Sequence, residues 1–561
     1  MSTPADDVDY QSLTFPTTAH ADQRAATPVR RPVVIVGAGP VGLSLAIDLA
    51  QRGVAVVLLD NDNRLSTGSR AICFAKRTLE IFDRLGCGDR VAAKGVSWNV
   101  GKVFLRDQEL YRFDLLPDAG HERPAFVNLQ QYYVEGYLAE RARALPLVDL
   151  RWNHEVVATD PHPDHATLTI VTPAGEYRLE AEHVVACDGS HSAVRRQLGL
   201  ESQGRTFRDR FLIVDIHLAT PDAPAERWFW FDPAFHPNQS VLLHRQPDGV
   251  WRIDFQLGWD ADPEHEKKPE NILPRVKALL AQSTALEDAE FTLEWASVYT
   301  FSCKRMARLR HGRVLFAGDA AHGVSPFGAR GANSGVQDAD NLGWKLAAVL
   351  QGHAPDALLD TYAREREAAA DENIRHSTRA TDFITPKSAA SRLFRDAVLA
   401  LARTQPFART LVNSGRLSTA TTLHGSPLNT PDSEPFDGAM VPGAAAADAR
   451  VTLADGGDAW LLRQLGAGFT ALVGAPAATA DALRGLALTV LAIAPPGPPA
   501  PGLLVDRDGA VARRYDLRPG GVVLLRPDGH VCARWRHATR EQVRAAMARA
   551  LALPEGVAPC P

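Results

Sequence analysis

Val33-Val-Ile-Val36-Gly37-Ala-Gly39-Pro-Val-Gly42-Leu-Ser-Leu-Ala-Ile-Asp-Leu-Ala50, followed by Val54-Ala-Val-Val-Leu-Leu-Asp60, decides the fold. An apolar run, a glycine-rich turn, an apolar helix and a second apolar run form one βαβ unit, the opening of a Rossmann-like α/β domain. Gly37 permits the tight turn, Gly39 lets a pyrophosphate approach the N–H groups at the positive helix end, and Gly42 lets helix and strand pack closely. Asp60 ends the second run, where a carboxylate meets ribose hydroxyls. The pattern predicts a dinucleotide site and leaves NAD and FAD both open.

Working outward, Leu150–Val157, Ala166–Val171 and Tyr177–Val185 read as short strands joined by Pro/Gly/Asp turns, a β-meander rather than a further crossover. Between Phe207 and Val298 strand-like alternation dominates, as in Trp251-Arg-Ile-Asp-Phe-Gln-Leu257, so a mainly-β domain is expected to be inserted there. Val314–Ala317 returns to a buried strand, followed by a glycine-containing loop and helical sequence to Arg409. The expected organisation is a flexible N-terminal tail at 1–30, a discontinuous dinucleotide-binding domain with a helical extension at 31–106, 150–206 and 299–412, which the motifs below make FAD-binding, and a substrate-binding region at 107–149 and 207–298. A linker is expected at 413–447, where Ser, Thr, Pro, Gly and Ala replace periodic sequence, and a separate domain at 448–561.

Two later motifs separate the cofactors. Cys187-Asp188-Gly189-Ser-His-Ser192-Ala-Val-Arg195 follows an apolar strand. Gly318-Asp319-Ala-Ala-His322 follows another and leads into Pro326-Phe-Gly328-Ala-Arg-Gly331-Ala332-Asn333. With the first motif, in this order, the chain from Pro32 to Arg409 resembles the FAD-dependent aromatic hydroxylases, the para-hydroxybenzoate hydroxylase type of flavoprotein monooxygenase. The resemblance implies that Asp319, with Gly318, binds the flavin ribityl hydroxyls. It implies that Pro326, Gly328 and Gly331 face the isoalloxazine ring where oxygen reacts, beside Ala332 and Asn333. Asp188 and Arg195 resemble a motif serving both FAD and NAD(P)H, and Arg70 and Gln131 match positions reaching the flavin phosphate and ring side.

The activity implied is NAD(P)H- and O2-dependent hydroxylation of a phenolic aromatic substrate through a flavin C4a-hydroperoxide. The alternatives are the same chemistry on a larger polycyclic, polyketide-like substrate, or an inactive flavin-binding scaffold. His322 reads as a packing and hydrogen-bonding residue beside the flavin loop, because the chemistry needs its base near the substrate hydroxyl. Lys345 reads as a solvated or helix-pairing lysine. His244, Arg252, Asp254 and Gln256 lie on expected strands, and one of them is a candidate to deprotonate the phenol or bind a substrate carboxylate. Strand alternation is expected to turn half of them to solvent.

Lys and Arg total 61 against 66 Asp and Glu, a net charge of −5, which offers no cationic field for nucleic acid or anionic lipid. No apolar run is long enough to cross a membrane. The 6 cysteines form no CxxC pair, which argues against a metal site or dithiol centre and fits a reducing cytoplasm. The segment after the linker resembles the thioredoxin-like appendage of phenol hydroxylases, without the dithiol. A stabilising or dimer-contact role, and a homodimer, are expected for it.

Overall fold

Strand Val29–Val36 carries four successive buried residues at its C-terminal end, as a strand covered on both faces requires. It runs parallel to Val56–Leu59 on one side and to Gly175–Ala186 on the other. Val148–Arg151 and Val314–Phe316 extend the parallel core. Glu155–Pro161 and Ala166–Thr172 hang from it as an antiparallel meander. The expected single strand Leu150–Val157 is therefore two strands in different parts of the sheet. Asn153, at φ +59°, turns the chain between them. Helices Pro40–Gln51 and Gly331–Leu350 pack against each other over the sheet. The computed structural model describes residues 9–67, 71–218, 225–282, 286, 289–412, 417–476, 478–554 and 557.

A second eight-stranded sheet contains Phe291–Met306, Ser202–Leu218, Val250–Leu257, Ser240–Arg245, Arg227–Phe231, Val100–Leu105 and Gln108–Asp114 in that spatial order, with His322–Gly323 at its edge. Alternation gives it two unlike faces. Leu212, Val214, Trp251, Ile253 and Phe255 pack on helix Pro269–Leu280, whereas Phe211, Phe229, Phe231 and Leu242 face Phe327 and the helical segment after Leu358. The substrate-region boundary at 107–149 is corrected twice. Strand Val100–Leu105 pairs in parallel with Arg227–Phe231, so the sheet takes residues assigned to the FAD-binding domain. Helix Gln131–Arg143 packs on Pro40–Gln51 and belongs beside the nucleotide-binding unit. Pairing between strands more than a hundred residues apart leaves no local sequence signal.

Two segments read as loose are packed. From residue 9 onward the N-terminal tail lies on the first sheet. Tyr10 and Phe15 are buried, and Phe15 stacks on Trp152 with ring centroids 4.4 Å apart. Asp22 is buried between Arg31 (2.5 Å) and Arg151 (2.6 Å). In the linker, Leu417, Leu423, Leu428, Ala444 and Ala446 are buried. The amide of Ser418 donates to Gly328 O at 2.8 Å, and that of Thr430 to Cys532 O at 2.7 Å.

The C-terminal sheet has seven strands. Phe469–Gly474, Leu488–Ala494 and Leu504–Asp506 run parallel, and Val522–Leu525 and Val531–Trp535 form an antiparallel hairpin. Thr539 caps the last helix, Arg540–Ala550, through a capping box with Gln542. A buried ionic network ties this unit to the rest. Arg526 grips Glu365 (2.6 Å) and Asp528 (2.6 Å), Glu365 also meets Lys345 (2.6 Å), and Arg77 donates to Asp528 O. Lys345 is therefore not solvated: it joins two helices and, through Glu365, the C-terminal hairpin.

Candidate active site

The first turn is built by close backbone approach. Gly37, at φ +104°, donates its amide to Leu59 O at 2.7 Å, and a Cβ there would lie 2.6 Å from Cys187 O. A Cβ on Gly42 would collide with Gly37 O, whereas one on Gly39 would meet nothing within 4 Å. Gly39 caps helix Pro40–Gln51, so open space lies directly before the helix's free N–H groups, the setting an anionic diphosphate requires. Asp60 accepts from the amides of Ala38 (2.6 Å) and Asp62 (2.9 Å). Burial outweighs these amides and pushes its carboxyl up to about 6. Beside the turn, Asp188 accepts from Val194 N at 3.1 Å through one oxygen, and its other oxygen is buried without a partner. Arg195 spans from Ala320 O (2.6 Å) to Ser190 O (2.7 Å), joining the second and third motifs.

The third motif forms the opposite wall. Asp319 is exposed at the end of strand Val314–Phe316, with an oxygen 3.9 Å from where a Cβ of Gly331 would stand. Pro326 is exposed and Gly328 is buried at φ +105°. Ala329 holds φ +51°, a left-handed conformation costing a non-glycine residue about 1 kcal/mol. Its carbonyl accepts from Asn333 Nδ2 at 2.5 Å. Gly331, Ala332 and Asn333 are the first three residues of helix Gly331–Leu350, so their amides lack helical acceptors and carry the positive end of the dipole. The Asn333 side chain itself is spent on scaffolding: it accepts from Ala75 N (2.8 Å) and donates to Cys73 O (2.9 Å). Gln131 likewise braces the chain, accepting from Ala71 N (3.0 Å) and donating to Glu135 (2.7 Å). Arg70 lies outside the described residues.

Beneath this wall sits a cluster the sequence reading did not find. Asp338, fully buried, accepts from His322 Nε2 (2.7 Å), Arg366 Nε (2.6 Å) and Gly318 N (2.9 Å). Burial alone would raise its pKa, yet these partners outweigh it and hold the carboxyl below the usual range. His322 thus has the packing and hydrogen-bonding role expected of it. Asp338 lies on the helix seven residues after Gly331, a same-face spacing that marked it only once the helix start was known.

The inner face of the second sheet closes the space. Phe211 meets Phe327 of the Pro326–Arg330 loop edge-to-face at 4.8 Å, and His244 Nδ1 lies 3.9 Å from Cys73 Sγ. His244 pairs across the ladder with Arg252 and Leu242 with Asp254, so His244, Arg252, Asp254 and Gln256 all share this inner face. The expectation that half of them face solvent is corrected. Residues 252, 254 and 256 have equal parity on one strand and cannot alternate.

Comparison with known proteins agrees with this geometry. A family profile described as FAD binding domain matches residues 30–377. The chain belongs to the FAD-dependent aromatic hydroxylases. The monooxygenase is 31% identical over 547 residues to 6-methylpretetramide 4-monooxygenase of Streptomyces rimosus, covering 94% of this chain and 95% of that one. It is 28% identical to the 3-(3-hydroxy-phenyl)propionate/3-hydroxycinnamic acid hydroxylase of Mycolicibacterium smegmatis, over 88% and 89% of the two chains. Among solved structures it resembles the flavin-dependent monooxygenase PieE in complex with FAD and substrate, at a TM-score of 0.78 and 25% identity, covering 94% of this chain and all of that one. Among the described residues, no helix of this monooxygenase is long and apolar enough to cross a membrane, and no cluster of ligating side chains could hold a metal ion.

Proposed function

We propose that this chain hydroxylates a phenolic aromatic ring with NAD(P)H and O2. FAD is held by the turn Gly37, Gly39 and Gly42, by Asp60 and Asp188, by Gly318 and Asp319, and by the amides of Gly331, Ala332 and Asn333. The observation that carries this reading is the convergence at Phe327 and Cys73. There the helix N-terminus of the cofactor side meets an aromatic-lined sheet face: Phe327 packs on Phe211, and Asn333 holds the Cys73 carbonyl while the Cys73 sulfur lies 3.9 Å from His244. Bound FAD supplies the chemistry of taking a hydride from NAD(P)H and delivering oxygen from O2.

The protein's own part is to bind, orient and keep dry. The amides at the start of helix Gly331–Leu350 stabilise negative charge developing on the cofactor ring, because they are aligned in advance and cost no reorganisation. Phe211, Phe229 and Phe327 are buried on the ring-facing side and exclude water. Arg195, anchored to the backbone of two motifs, fixes the spacing of the cofactor walls. The C-terminal unit is read as a thioredoxin-like support without dithiol exchange. Cys532, its one cysteine among the described residues, is buried and pushed up to about 12 by burial.

A polycyclic phenol is the second reading. It is favoured by the near-complete overlap with 6-methylpretetramide 4-monooxygenase, which includes the C-terminal unit. Substrate-stimulated NAD(P)H oxidation, with isotopic oxygen traced from O2 into product, tests both readings over a panel of monocyclic and polycyclic phenols. Label in the product supports hydroxylation, and the preferred panel member decides between the two. Oxidation of NAD(P)H without label in any product refutes hydroxylation.

A further inference from the structure

The ring-facing side of the second sheet is aromatic over one half and charged over the other. The charged corner gathers Arg252 and Asp254 from strand Val250–Leu257, Asp215 from Ser202–Leu218, Arg227 from Arg227–Phe231, His244 from Ser240–Arg245 and Cys73 from Cys73–Ala75. Most of these groups are already committed. Arg252 holds Asp215 with two bonds, at 2.8 and 3.0 Å, and both are buried. His244 is buried, and its burial beside Arg227 and Arg252 drives its pKa well below the ordinary value, so it stays neutral. Cys73, pushed up to about 12 by burial, stays a thiol. Asp254 is the carboxylate among them that can still accept. It is half-buried, and one of its carboxylate oxygens is buried with no hydrogen-bond partner.

We propose that Asp254 accepts the hydroxyl proton of the substrate, and that Arg227 and Arg252 hold the phenolate that results. This rests on the phenolic reading above. The step is a proton transfer alone. The substrate O–H bond breaks and an O–H bond forms on the free oxygen of Asp254; after oxygen transfer the hydroxylated ring carbon loses its C–H proton to solvent, and Asp254 returns its proton to the same oxygen atom of the product. Charge argues for this direction. Before transfer, Arg227 and Arg252 balance Asp215 and Asp254. After it, Asp254 is neutral, the corner carries one positive charge, and the phenolate carries one negative. A corner that is neutral in both states requires no counter-ion to enter with the substrate. Asp215 takes both of these Arg252 hydrogen bonds, so Asp254 balances the corner's charge while one of its oxygens stays without a hydrogen-bond partner. Burial also pushes the Asp254 carboxyl up to about 6, so it is ionised and able to accept at neutral pH.

The test uses the FAD-loaded full chain, its Asp254→Asn and Asp254→Glu variants, and phenols of graded acidity. One of these is 4-nitrophenol, whose anion has its own visible band. Above a pH of about 6, where Asp254 is ionised, the wild type is expected to bind neutral 4-nitrophenol as the anion without releasing a proton to the buffer. Asp254→Asn, whose corner keeps one net positive charge but has no acceptor, is expected to release one proton to the buffer for each anion it binds below the probe's own ionisation. In turnover, Asp254→Asn should lose about 100-fold or more in kcat/KM with weakly acidic phenols, the usual contribution of a positioned base, and retain its rate with phenols ionised in solution. Asp254→Glu should keep the pH limb at reduced rate, and it carries the comparison if the Asn variant fails to hold flavin. Equal proton release by wild type and Asp254→Asn on binding the anion, or an equal loss for weak and strong phenols, would overturn the assignment of Asp254 and leave the hydroxylase reading standing. If no phenol perturbs the wild-type flavin spectrum or stimulates NAD(P)H oxidation, the phenolic reading itself falls.

Discussion

Replacing Arg526 by alanine should release the C-terminal unit from the FAD-binding unit. The Arg526 guanidinium makes four charge-assisted hydrogen bonds: to Glu365 at 2.6 and 3.3 Å, and to Asp528 at 3.1 and 2.6 Å. All three side chains are fully buried. Each such bond contributes about 1.5–3 kcal/mol, but the sum overstates the loss. Glu365 keeps Lys345 (2.6 Å) and Asn341 (2.7 Å), and Asp528 keeps the His530 amide (3.3 Å). Breaking one buried pair while its partners remain is the closer comparison, at about 3–5 kcal/mol. At about 1.4 kcal/mol per tenfold, the open population rises by roughly two to four decades. Hydrogen exchange reads this directly as lost protection in Val522–Leu525, together with faster proteolysis between residues 413 and 447. Arg526→Lys should fall between the two, since it keeps the charge and loses the planar fork. Arg484→Ala removes only the exposed pair with Asp481 and should change nothing. Wild-type exchange in Arg526→Ala would refute the idea that this network holds the unit in place.

Gly39→Ala and Gly42→Ala should separate binding from folding: the first folds and loses FAD affinity on titration, because its methyl enters the open cradle, and the second fails to fold because its methyl meets Gly37 O. Asp319→Ala should lose flavin on gel filtration, at a cost of about 1–3 kcal/mol for unpaired ribityl hydroxyls. A chain cut after Val412 should release FAD as well as lose solubility, because it removes the Ser418 amide that braces Gly328 O; a soluble, yellow fragment would contradict this. Glu365, Asp338 and Asp528 all titrate below their ordinary values when folded. Their stabilisation is therefore complete above an unfolded pKa of about 4 and is lost as pH falls through the lower folded values, so thermal melts should hold to about pH 5 and drop steeply below pH 4.

The nucleotide-binding unit was legible because its determinants are local. A strand, a turn needing positive φ, a helix start and an acid fall within thirty residues, and each constrains the next. The later motifs are local in the same way, each following a buried strand and leading into a helix. Asn333 shows the limit. Its side chain ties Cys73 and Ala75 to the loop, and that role depends on a strand two hundred and fifty residues earlier. Asp338, His322 and Arg366 were hidden likewise. Their spacing fits any amphipathic helix pair, and only the fold brings the Gly318 amide onto the same carboxylate.

A different reason hid the N-terminal strap, the linker and Lys345. Composition reports how much apolar surface a segment can bury, and these segments have little. What fixes them is pairing: Asp22 between two arginines, Ser418 on a backbone carbonyl, Lys345 on Glu365. A polar segment that finds satisfied partners costs little to bury, yet in sequence it looks the same as one that stays in water. Each of these also meets the cofactor-binding unit. Phe15 donates its amide to Asn63 O (2.8 Å), three residues beyond Asp60. Ser418 braces the loop after Pro326. Glu365, which holds Lys345, precedes Arg366 on the helix, and Arg366 fixes Asp338 under Gly318. The glycine motifs need backbone positions held to a few tenths of an ångström, and a glycine-rich turn has no side chains with which to hold itself. The polar segments supply that restraint from outside, which is why the residues that form the site and the residues that keep it in shape carry such different signatures in the sequence.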